Sequence, residues 1–277
     1  MSFYNKVSKQ ALSVLAAGVV LASCQKMEQP ALTDYPQDTN PPGGALKFYA
    51  AFEERSVDSI RAVFGVNKDV TYVDGVSGKA VQPDVSKKGY VAFPSASDFG
   101  NSTDFTISFW LKTTQAQKNT SNAAGILAFG NSKNFWGNAT FFAETEKGTS
   151  DSMTLKMHFN AAGNKDNWQA QYVNEKRLPA MYDGNWHHLA VTYRAADSVF
   201  TLYRDGAQFD QMTMSPAIKF ENASQLVVNG YQEAAGVVDT YENNSWMAAF
   251  GGAVDQVRLY GTTLSLNEVA AMYASKQ

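Results

Sequence analysis

Residues 105–112 read FTISFWLK, and apolar side chains occupy every second position of this stretch. Successive side chains of a β-strand point to opposite faces, so one face of the predicted strand is apolar and the other is more polar. The apolar face comprises Phe105, Ile107, Phe109 and Leu111. Residues 153–160, MTLKMHFN, repeat this alternation, and both stretches are therefore predicted to be half-buried antiparallel strands.

The remaining candidate strands are short and are separated by clusters of Gly, Asn and Asp. They span residues 47–52, 90–93, 124–129, 139–143, 187–193, 199–203, 226–229 and 250–260. Short strands bounded by turn residues, without helical segments between them, predict an all-β fold of two stacked sheets. A single short helix is expected at residues 266–273, where Ser265 is the N-cap and Glu268 completes a capping box.

The first residues of the chain have the layout of a secretory signal. Lys6 and Lys9 precede the uncharged run ALSVLAAGVVLA at residues 11–22, which is shorter than the roughly 20 apolar residues of a transmembrane helix. The run ends in LASC at residues 21–24, which resembles the bacterial lipobox. Residues 1–23 are therefore expected to be cleaved, and Cys24 is expected to carry the lipid.

Residues 25–44, QKMEQPALTDYPQDTNPPGG, are rich in proline and polar residues and have no apolar period. This composition predicts a flexible tether over residues 24–45 and a folded domain over residues 46–277. The expected location is the membrane of a Gram-negative bacterium, at the outer membrane and its cell surface, with the lipid at Cys24 as the anchor.

Composition excludes two classes of feature. The sequence contains one cysteine, so no internal disulfide can form. Its formal net charge is −3, and no stripe of Lys and Arg is present, which argues against nucleic acid as a partner.

Three stretches together resemble the laminin-G-like, concanavalin A-like domains of bacterial surface proteins. The first contains DGVSGKA at residues 74–80, YVAF at 90–93 and FTISFWLK. The second runs from NWHHLAVTY at residues 185–193 to YRDG at 203–206, and the third is FGGAVDQVRLY at residues 250–260. The resemblance implies an antiparallel jelly-roll β-sandwich that binds sugars or proteins, and it does not imply catalysis.

The resemblance also implies a structural calcium ion. In the family, the ligands come from an acidic residue after the first strand, from a Gly-x-x-Gly turn and from an aspartate of the last strand. The matching residues are Glu53, the turn from Asp74 to Gly78, and Asp255. This chain has Glu53-Glu54 where the family more commonly has an aspartate. For Asp255, the alternative to a calcium ligand is a carboxylate that is solvated or hydrogen-bonded.

The tryptophans fall into two groups. Trp110 and Trp186 lie in the shared motifs and are interpreted as packing residues, with sugar stacking as the alternative. His187 and His188 are also interpreted as structural, because adjacent residues of a strand point to opposite faces. The other tryptophans lie among Asn, Asp and Gly in predicted loops, where a flat ring beside amides and carboxylates suits a sugar. The hypothesis is that two of these three converge on one rim of the sandwich, the alternative being that each covers a local edge. This candidate site comprises Trp136, Trp168, Trp246, Asn134, Asp166, Asn167, Asn243 and Asn244.

These patterns favour a non-catalytic carbohydrate-binding or adhesion lipoprotein whose partner is a glycan or a surface protein. Two alternatives stay open. One is a glycoside hydrolase or lyase, for which Glu144 and Glu146 have a suitable spacing but are interpreted as an exposed strand end. The other is a protein-interaction component of a surface complex.

Overall fold

The strands of the protein alternate with turns along the whole folded domain. The computed structural model describes residues 43–238 and 245–276, so the predicted signal, Cys24, Asn243 and Asn244 lie outside the described residues. In chain order the strands are β1 Leu46–Ala50, β2 Val57–Asp58, β3 Val63–Phe64, β4 Val66–Lys68, β5 Val70–Asp74, β6 Lys79–Pro83, β7 Tyr90–Phe93, β8 Phe105–Thr114, β9 Ala123–Asn131, β10 Ala139–Ala143, β11 Leu155–Ala161, β12 Lys165–Asn167, β13 Gln171–Tyr172, β14 Asp183–Arg194, β15 Val199–Arg204, β16 Ala207–Thr213, β17 Ala223–Val228, β18 Met247–Ala249 and β19 Ala253–Tyr260, followed by helix α1, Leu266–Ser275. Short 3-10 helices occupy Val85–Lys87, Ser97–Asn101, Gln115–Gln117 and Asn174–Lys176.

Two sheets contain nearly all of these strands. The first sheet has the order β16-β15-β14-β8-β19-β6-β5, and β1 pairs with β19. The second has the order β12-β11-β10-β9-β17-β7-β4, with β13 on β11 and β18 on β9. The pairings are antiparallel except for β18, which runs parallel to β9. Neighbours that are distant in the chain, such as β8 and β19, are typical of a jelly roll, and the predicted antiparallel β-sandwich is confirmed.

Aromatic rings fill the space between the sheets. The ring of Phe105 on β8 lies 5.4 Å from that of Tyr193 and 4.8 Å from that of Phe220, measured between centroids. Phe48 and Phe93, from opposite sheets, meet edge to face at 4.9 Å. Offset and edge-to-face pairs of this kind add attraction to the burial of apolar area.

The outer faces of the central strands are covered as well, which corrects the prediction of half-buried strands. Every residue from Phe105 to Leu111 on β8 is buried, and so is most of β11. On the first sheet the cover is α1: the Trp110 ring stacks on Tyr273 of this helix at 5.5 Å and lies 5.1 Å from the His188 ring. Trp110 is 2% exposed, in agreement with the packing role inferred from the sequence.

Helix α1 begins where the capping box predicts. The Ser265 side chain accepts a hydrogen bond from the Glu268 amide, and the Glu268 carboxylate accepts one from the Ser265 amide at 2.7 Å. The helix buries Val269 against Ala190 and Tyr203 of the first sheet. Its sequence position next to β19 therefore allows it to close this outer face.

Replacing Trp110 tests how much of the stability depends on this cover. Trp110→Ala is expected to lower the free energy of unfolding by about 3–5 kcal/mol, because it removes a buried ring from beneath α1. Urea denaturation followed by circular dichroism measures the loss, and hydrogen exchange of the α1 amides should quicken. Trp186→Ala, at a half-buried position of the same sheet, is the matched control and should cost much less. If the two variants lose the same free energy of unfolding, Trp110 does not contribute to stability through its burial beneath α1.

Candidate functional site

The three loop tryptophans meet on the outer face of the second sheet. The Trp136 ring lies 4.6 Å from the Trp168 ring and 5.6 Å from the Trp246 ring, measured between centroids. We call Trp136, Trp168 and Trp246 the tryptophan cluster. Trp136 and Trp168 are half-buried, whereas Trp246 is 37% exposed. All three rings therefore meet on the outer face of this sheet, whereas the sequence hypothesis joined two of them on a rim.

Strand β10 supplies the base of the cluster. Alternation along this strand sends Phe141 into the interior and Phe142 to the outer face, where Phe142 stacks under Trp136 at 6.0 Å. Tyr231 packs against Phe142 at 5.9 Å and against Trp246 at 6.1 Å. The rings are thus supported by a strand, which holds them more firmly than loops alone would.

The loop before β10 is fixed by buried amides. Asn134 is 6% exposed; its side-chain oxygen accepts from the Trp136 amide at 2.8 Å, and its Nδ2 lies 3.0 Å from Asp166 Oδ1. Gln232, which is 1% exposed, donates to the carbonyls of Asn134 and Phe135 at 2.5 and 2.7 Å. These contacts set the position of the Trp136 ring, and Gln232 was not identified in the sequence because its partners lie about a hundred residues away.

The polar candidates differ in exposure. The Asp166 side chain is 47% exposed and stands beside the rings, where it can accept hydrogen bonds from a ligand. Asn167 is 2% exposed and directs its side chain inward, donating to the Pro216 carbonyl at 2.6 Å and accepting from the Gln169 amide at 3.0 Å. Asn134 and Asn167 therefore position the surface, and Asp166 is the group that faces solvent.

His158 on β11 lies under the cluster and was not among the predicted site residues. Its ring is 4.8 Å from Trp168, and its Nε2 is 3.0 Å from Asp166 Oδ1. Burial lowers the pKa of His158 to about 4, against the opposing charge of Asp166. The imidazole is therefore neutral at pH 7, and its buried Nδ1 has no hydrogen-bond partner among the residues that the structure describes. Its place on the more polar face of MTLKMHFN was the available sequence signal.

The predicted calcium residues meet at the turn between β5 and β6. Asp255 Oδ2 accepts from the Val76 amide at 2.9 Å, and Glu53 Oε2 accepts from the Lys79 amide at 3.0 Å. Gly78 has φ +62°, and a Cβ there would collide with the Glu53 carboxylate. Burial raises the pKa of Asp255 to about 7 despite its hydrogen bonds from main-chain amides, and the charge of Glu53 adds to this effect.

Asp74 does not join this pair. Its side chain is 95% exposed and forms an ion pair with Lys79 at 2.9 Å. Across residues 43–238 and 245–276, no group of three or more His, Cys, Asp and Glu side chains is placed to hold a metal ion. The donor set thus offers two carboxylates of the oxygen type that calcium prefers, and main-chain carbonyls and water would have to complete the shell.

The candidate catalytic carboxylates have separate partners. Glu144 forms an ion pair with Lys156. Glu146 is 3% exposed, accepts from the Thr154 amide and lies 3.4 Å from Arg177 Nη1, so its predicted exposure is wrong. Thr154 and Arg177, which hold its carboxylate, are distant enough in the sequence that the local pattern did not indicate this burial. Neither arrangement is that of two carboxylates facing one glycosidic bond.

The histidine pair is structural, as expected. His187 Nδ1 lies 2.9 Å from Asp205 and its Nε2 lies 3.1 Å from Asp183, whereas His188 Nε2 lies 2.8 Å from the Ser108 hydroxyl. Their rings therefore have different partners. Burial alone would lower the pKa of His187, but the hydrogen bonds to Asp205 and Asp183 outweigh it and raise that pKa.

Comparison with known families matches most of the folded domain. The Laminin_G_3 model, described as the concanavalin A-like lectin/glucanases superfamily, matches residues 85–270. The chain is also similar to the rat "Sushi, von Willebrand factor type A, EGF and pentraxin domain-containing protein 1", with 29% identity over 127 residues. That alignment covers 41% of this chain and 3% of the rat protein, so the chain spans a small part of that relative.

Solved structures with the same fold include binding domains of larger proteins. The binding domain of Paraclostridial Mosquitocidal Protein 1 has a TM-score of 0.58 and 17% identity, covering 84% of this chain and 52% of that one. Domain 4 of an extracellular arabinanase from Geobacillus stearothermophilus, in complex with arabinotriose, has a TM-score of 0.53 and 17% identity, covering 82% and 98%. At these identities the likeness shows the fold alone.

The buried neutral His158 predicts acid sensitivity. Its folded pKa of about 4 lies below the ordinary 6.5, so its contribution to stability is complete above pH 6.5 and is lost as the pH falls towards 4. At pH 5 the loss relative to pH 7 is about 2 kcal/mol. In His158→Gln, the decrease in the free energy of unfolding between pH 7 and pH 5 should be smaller by about this amount.

Urea denaturation at the two pH values, followed by tryptophan fluorescence, measures this difference. His187→Gln is the control with the opposite sign, because the raised pKa of His187 stabilises the fold at low pH and this contribution is lost as the pH rises through that pKa. An unchanged pH dependence in His158→Gln would show that the ring is not kept neutral.

Proposed function

Because the chain belongs to the Laminin_G_3 family of the concanavalin A-like lectin/glucanase superfamily, we propose that it is a non-catalytic carbohydrate-binding protein whose glycan docks on the tryptophan cluster. The observation that carries this proposal is the convergence of three tryptophans, with centroid distances of 4.6 and 5.6 Å, beside the exposed carboxylate of Asp166. Flat apolar rings accept the C–H face of a sugar, and a carboxylate accepts its hydroxyl groups.

The arrangement assigns a role to each group. Trp246 is the most exposed of the three rings and is the proposed stacking platform. Trp136 and Trp168 form the floor beneath the sugar, and His158 holds Asp166 through its Nε2 at 3.0 Å. The ligand would therefore displace water from the rings while its hydroxyl groups bond at the Asp166 edge.

The structural neighbours support a binding role over a catalytic one. They are the binding domain of Paraclostridial Mosquitocidal Protein 1 and an arabinanase domain in complex with arabinotriose. In this chain Glu144 and Glu146 each have a cationic partner of their own, Lys156 and Arg177. A catalytic function would need two carboxylates facing one cleft, so we do not favour a glycoside hydrolase or lyase.

We further propose that the domain is displayed on a membrane by acylation of Cys24, at the outer membrane of a Gram-negative bacterium and on its outer surface. The support is the lipobox-like LASC at residues 21–24 and the proline-rich stretch after it. Among the residues described, no helix is long and apolar enough to cross a bilayer. A tether of about twenty residues would let the sandwich reach glycans beyond the lipid headgroups.

A structural calcium ion is proposed at the turn between β5 and β6. Glu53 and Asp255 would provide the charged ligands, and carbonyls of residues 74–78 and water would complete the shell. The support is the approach of both carboxylates to one turn, together with the burial of Asp255. The ion would neutralise two like charges and fix the turn; no chemistry is assigned to it.

Removing the exposed ring tests glycan binding. Trp246→Ala is expected to weaken binding by about tenfold or more, because it removes the stacking surface while leaving the interior intact. A glycan array probed with the purified chain identifies the ligand, and titration calorimetry with the best glycan measures the change. Trp186→Ala, on the other sheet, is the matched control and should bind normally.

Two results together would contradict the carbohydrate-binding function and favour protein interaction. The chain would retain no glycan on the array, and it would bind a purified surface protein that Trp246→Ala does not bind. If a folded Trp246→Ala variant binds the glycan with normal affinity, the glycan does not bind at the tryptophan cluster.

Chelation tests the calcium site. A ligand bound only to the folded state stabilises it by about 2.7 kcal/mol at a hundredfold excess over its Kd, so treatment with EDTA should lower the Tm by about 5 °C or more. Glu53→Gln should remove the calcium-dependent part of the Tm, whereas Asp74→Asn should retain it because Asp74 pairs with Lys79. A Tm that is unchanged by EDTA and restored calcium would exclude the ion.

A further inference from the structure

A groove of about 770 Å³ lies on the outer face of the first sheet, between β1, β19 and α1. We call it the Arg258 groove; its walls include Tyr49, Arg258, Tyr260 and Met272, and Glu53 and Glu268 also line it. Helix α1 covers β8, β14 and β15 and reaches β19 where Met272 meets Tyr260, and the groove opens beside this contact. The volume is in the range of small-molecule sites in proteins.

Arg258 is a buried cation without an acidic partner. It is 7% exposed, and within residues 43–238 and 245–276 it takes part in no ion pair. Its guanidinium carbon lies 4.1 Å from the centroid of the Tyr49 ring, which is a cation–π contact with the wall of the groove. Burial lowers the pKa of Arg258, which reflects the cost of keeping this charge away from water. A buried charge of this kind is strongly stabilised by an anion that reaches it.

A bulge in β19 builds the site. Gln256 has φ +50°, and the register to β8 shifts between Asp255 and Arg258. Gln256 and Arg258 line the groove as a result, while Val257 between them enters the interior. Bulges recur where a strand must redirect a side chain for a function.

Gln256 orients the guanidinium. Its Oε1 accepts from Arg258 Nη2 at 2.8 Å and from the Tyr49 hydroxyl at 2.7 Å, and its carbonyl lies 3.4 Å from Arg258 Nη1. Of the five N–H donors of an arginine, these contacts use two. The remaining donors and the fixed plane are suited to the two oxygens of a carboxylate.

The acidic rim limits the charge that a ligand can carry. Glu53 and Glu268 line the groove, and each accepts a hydrogen bond, from the Lys79 amide at 3.0 Å and from the Ser265 amide at 2.7 Å. These carboxylates can accept bonds from hydroxyl groups but would repel a second anionic group. The groove therefore matches a molecule with one anionic group and several hydroxyls.

We propose that the Arg258 groove is a second saccharide site, which binds the carboxylate of a uronic-acid unit. The carboxylate pairs with the guanidinium of Arg258, the sugar ring lies between Tyr49 and Tyr260, and hydroxyl groups bond to Glu268. The site lies on the first sheet and the tryptophan cluster lies on the second, so this proposal does not depend on the one made above.

Titration calorimetry with glucuronic and galacturonic acid and their short oligomers tests the site. The purified chain should bind a uronate and should bind its neutral methyl ester at least about tenfold more weakly, since a charged hydrogen bond is lost. Arg258→Gln should lose the preference for the acid, and Arg258→Lys should keep only part of it because the planar fork is gone. Trp246→Ala should bind the uronate normally, which separates this site from the tryptophan cluster.

Gln256→Glu provides a variant that does not depend on removing the buried arginine. It puts a carboxylate oxygen where the Gln256 amide oxygen accepts from Arg258 Nη2. The internal ion pair with Arg258 should then compete with the ligand and abolish uronate binding, while the Tm is maintained or raised. Equal affinity for the acid and its ester in the unmodified chain would overturn the proposal. Unchanged uronate binding in folded Arg258→Gln or Gln256→Glu would also overturn it, as would binding confined to sulfated sugars.

Discussion

Alternation along the strands directs half of the side chains of each strand away from the interior. How these outward side chains are covered determines the rest of the structure. With a single cysteine in the chain, the sandwich has no internal disulfide and is held by packing and hydrogen bonds. The inner faces meet through rings such as Phe105, Tyr193 and Phe220. The outer faces carry rings as well, and Trp110 and Phe142 become buried only because other segments cover them. Each proposed ligand surface lies on one of these outer faces.

The sequence predicted those parts of the fold that depend on local patterns. The alternation in residues 105–112 and 153–160 indicated β8 and β11, and Ser265 with Glu268 marked the start of α1. It did not predict β4, whose residues are all exposed, or the short strands β12, β13 and β18. A strand of two or three residues is too short to show an alternating pattern. Burial on both faces of β8 was also missed, since the covering residue Tyr273 lies more than 160 positions away.

The candidate site shows the same division between local and distant information. Tryptophans among amides and glycines indicated a surface of aromatic rings, and the three rings do meet. The amides were harder to interpret, because Asn134 and Asn167 bond to main-chain groups near them and turn away from solvent. His158 and Gln232 complete the surface through contacts with residues from other strands and loops. Such contacts are set by the strand order, which local sequence does not specify.

The two outer faces differ in chemistry because different segments cover them. Loops cover the second sheet and bring rings with one exposed carboxylate, a combination suited to neutral sugars. Helix α1 covers only part of the first sheet, and the bulge at Gln256 places a cation in the part that stays open. A polysaccharide with neutral and uronic-acid units would offer a partner to each face, although one short oligomer would occupy a single face. Once one face has bound the polymer, the other face meets it at a high effective concentration, which strengthens the overall attachment. A modest affinity at each face would therefore suffice to retain a polymeric ligand.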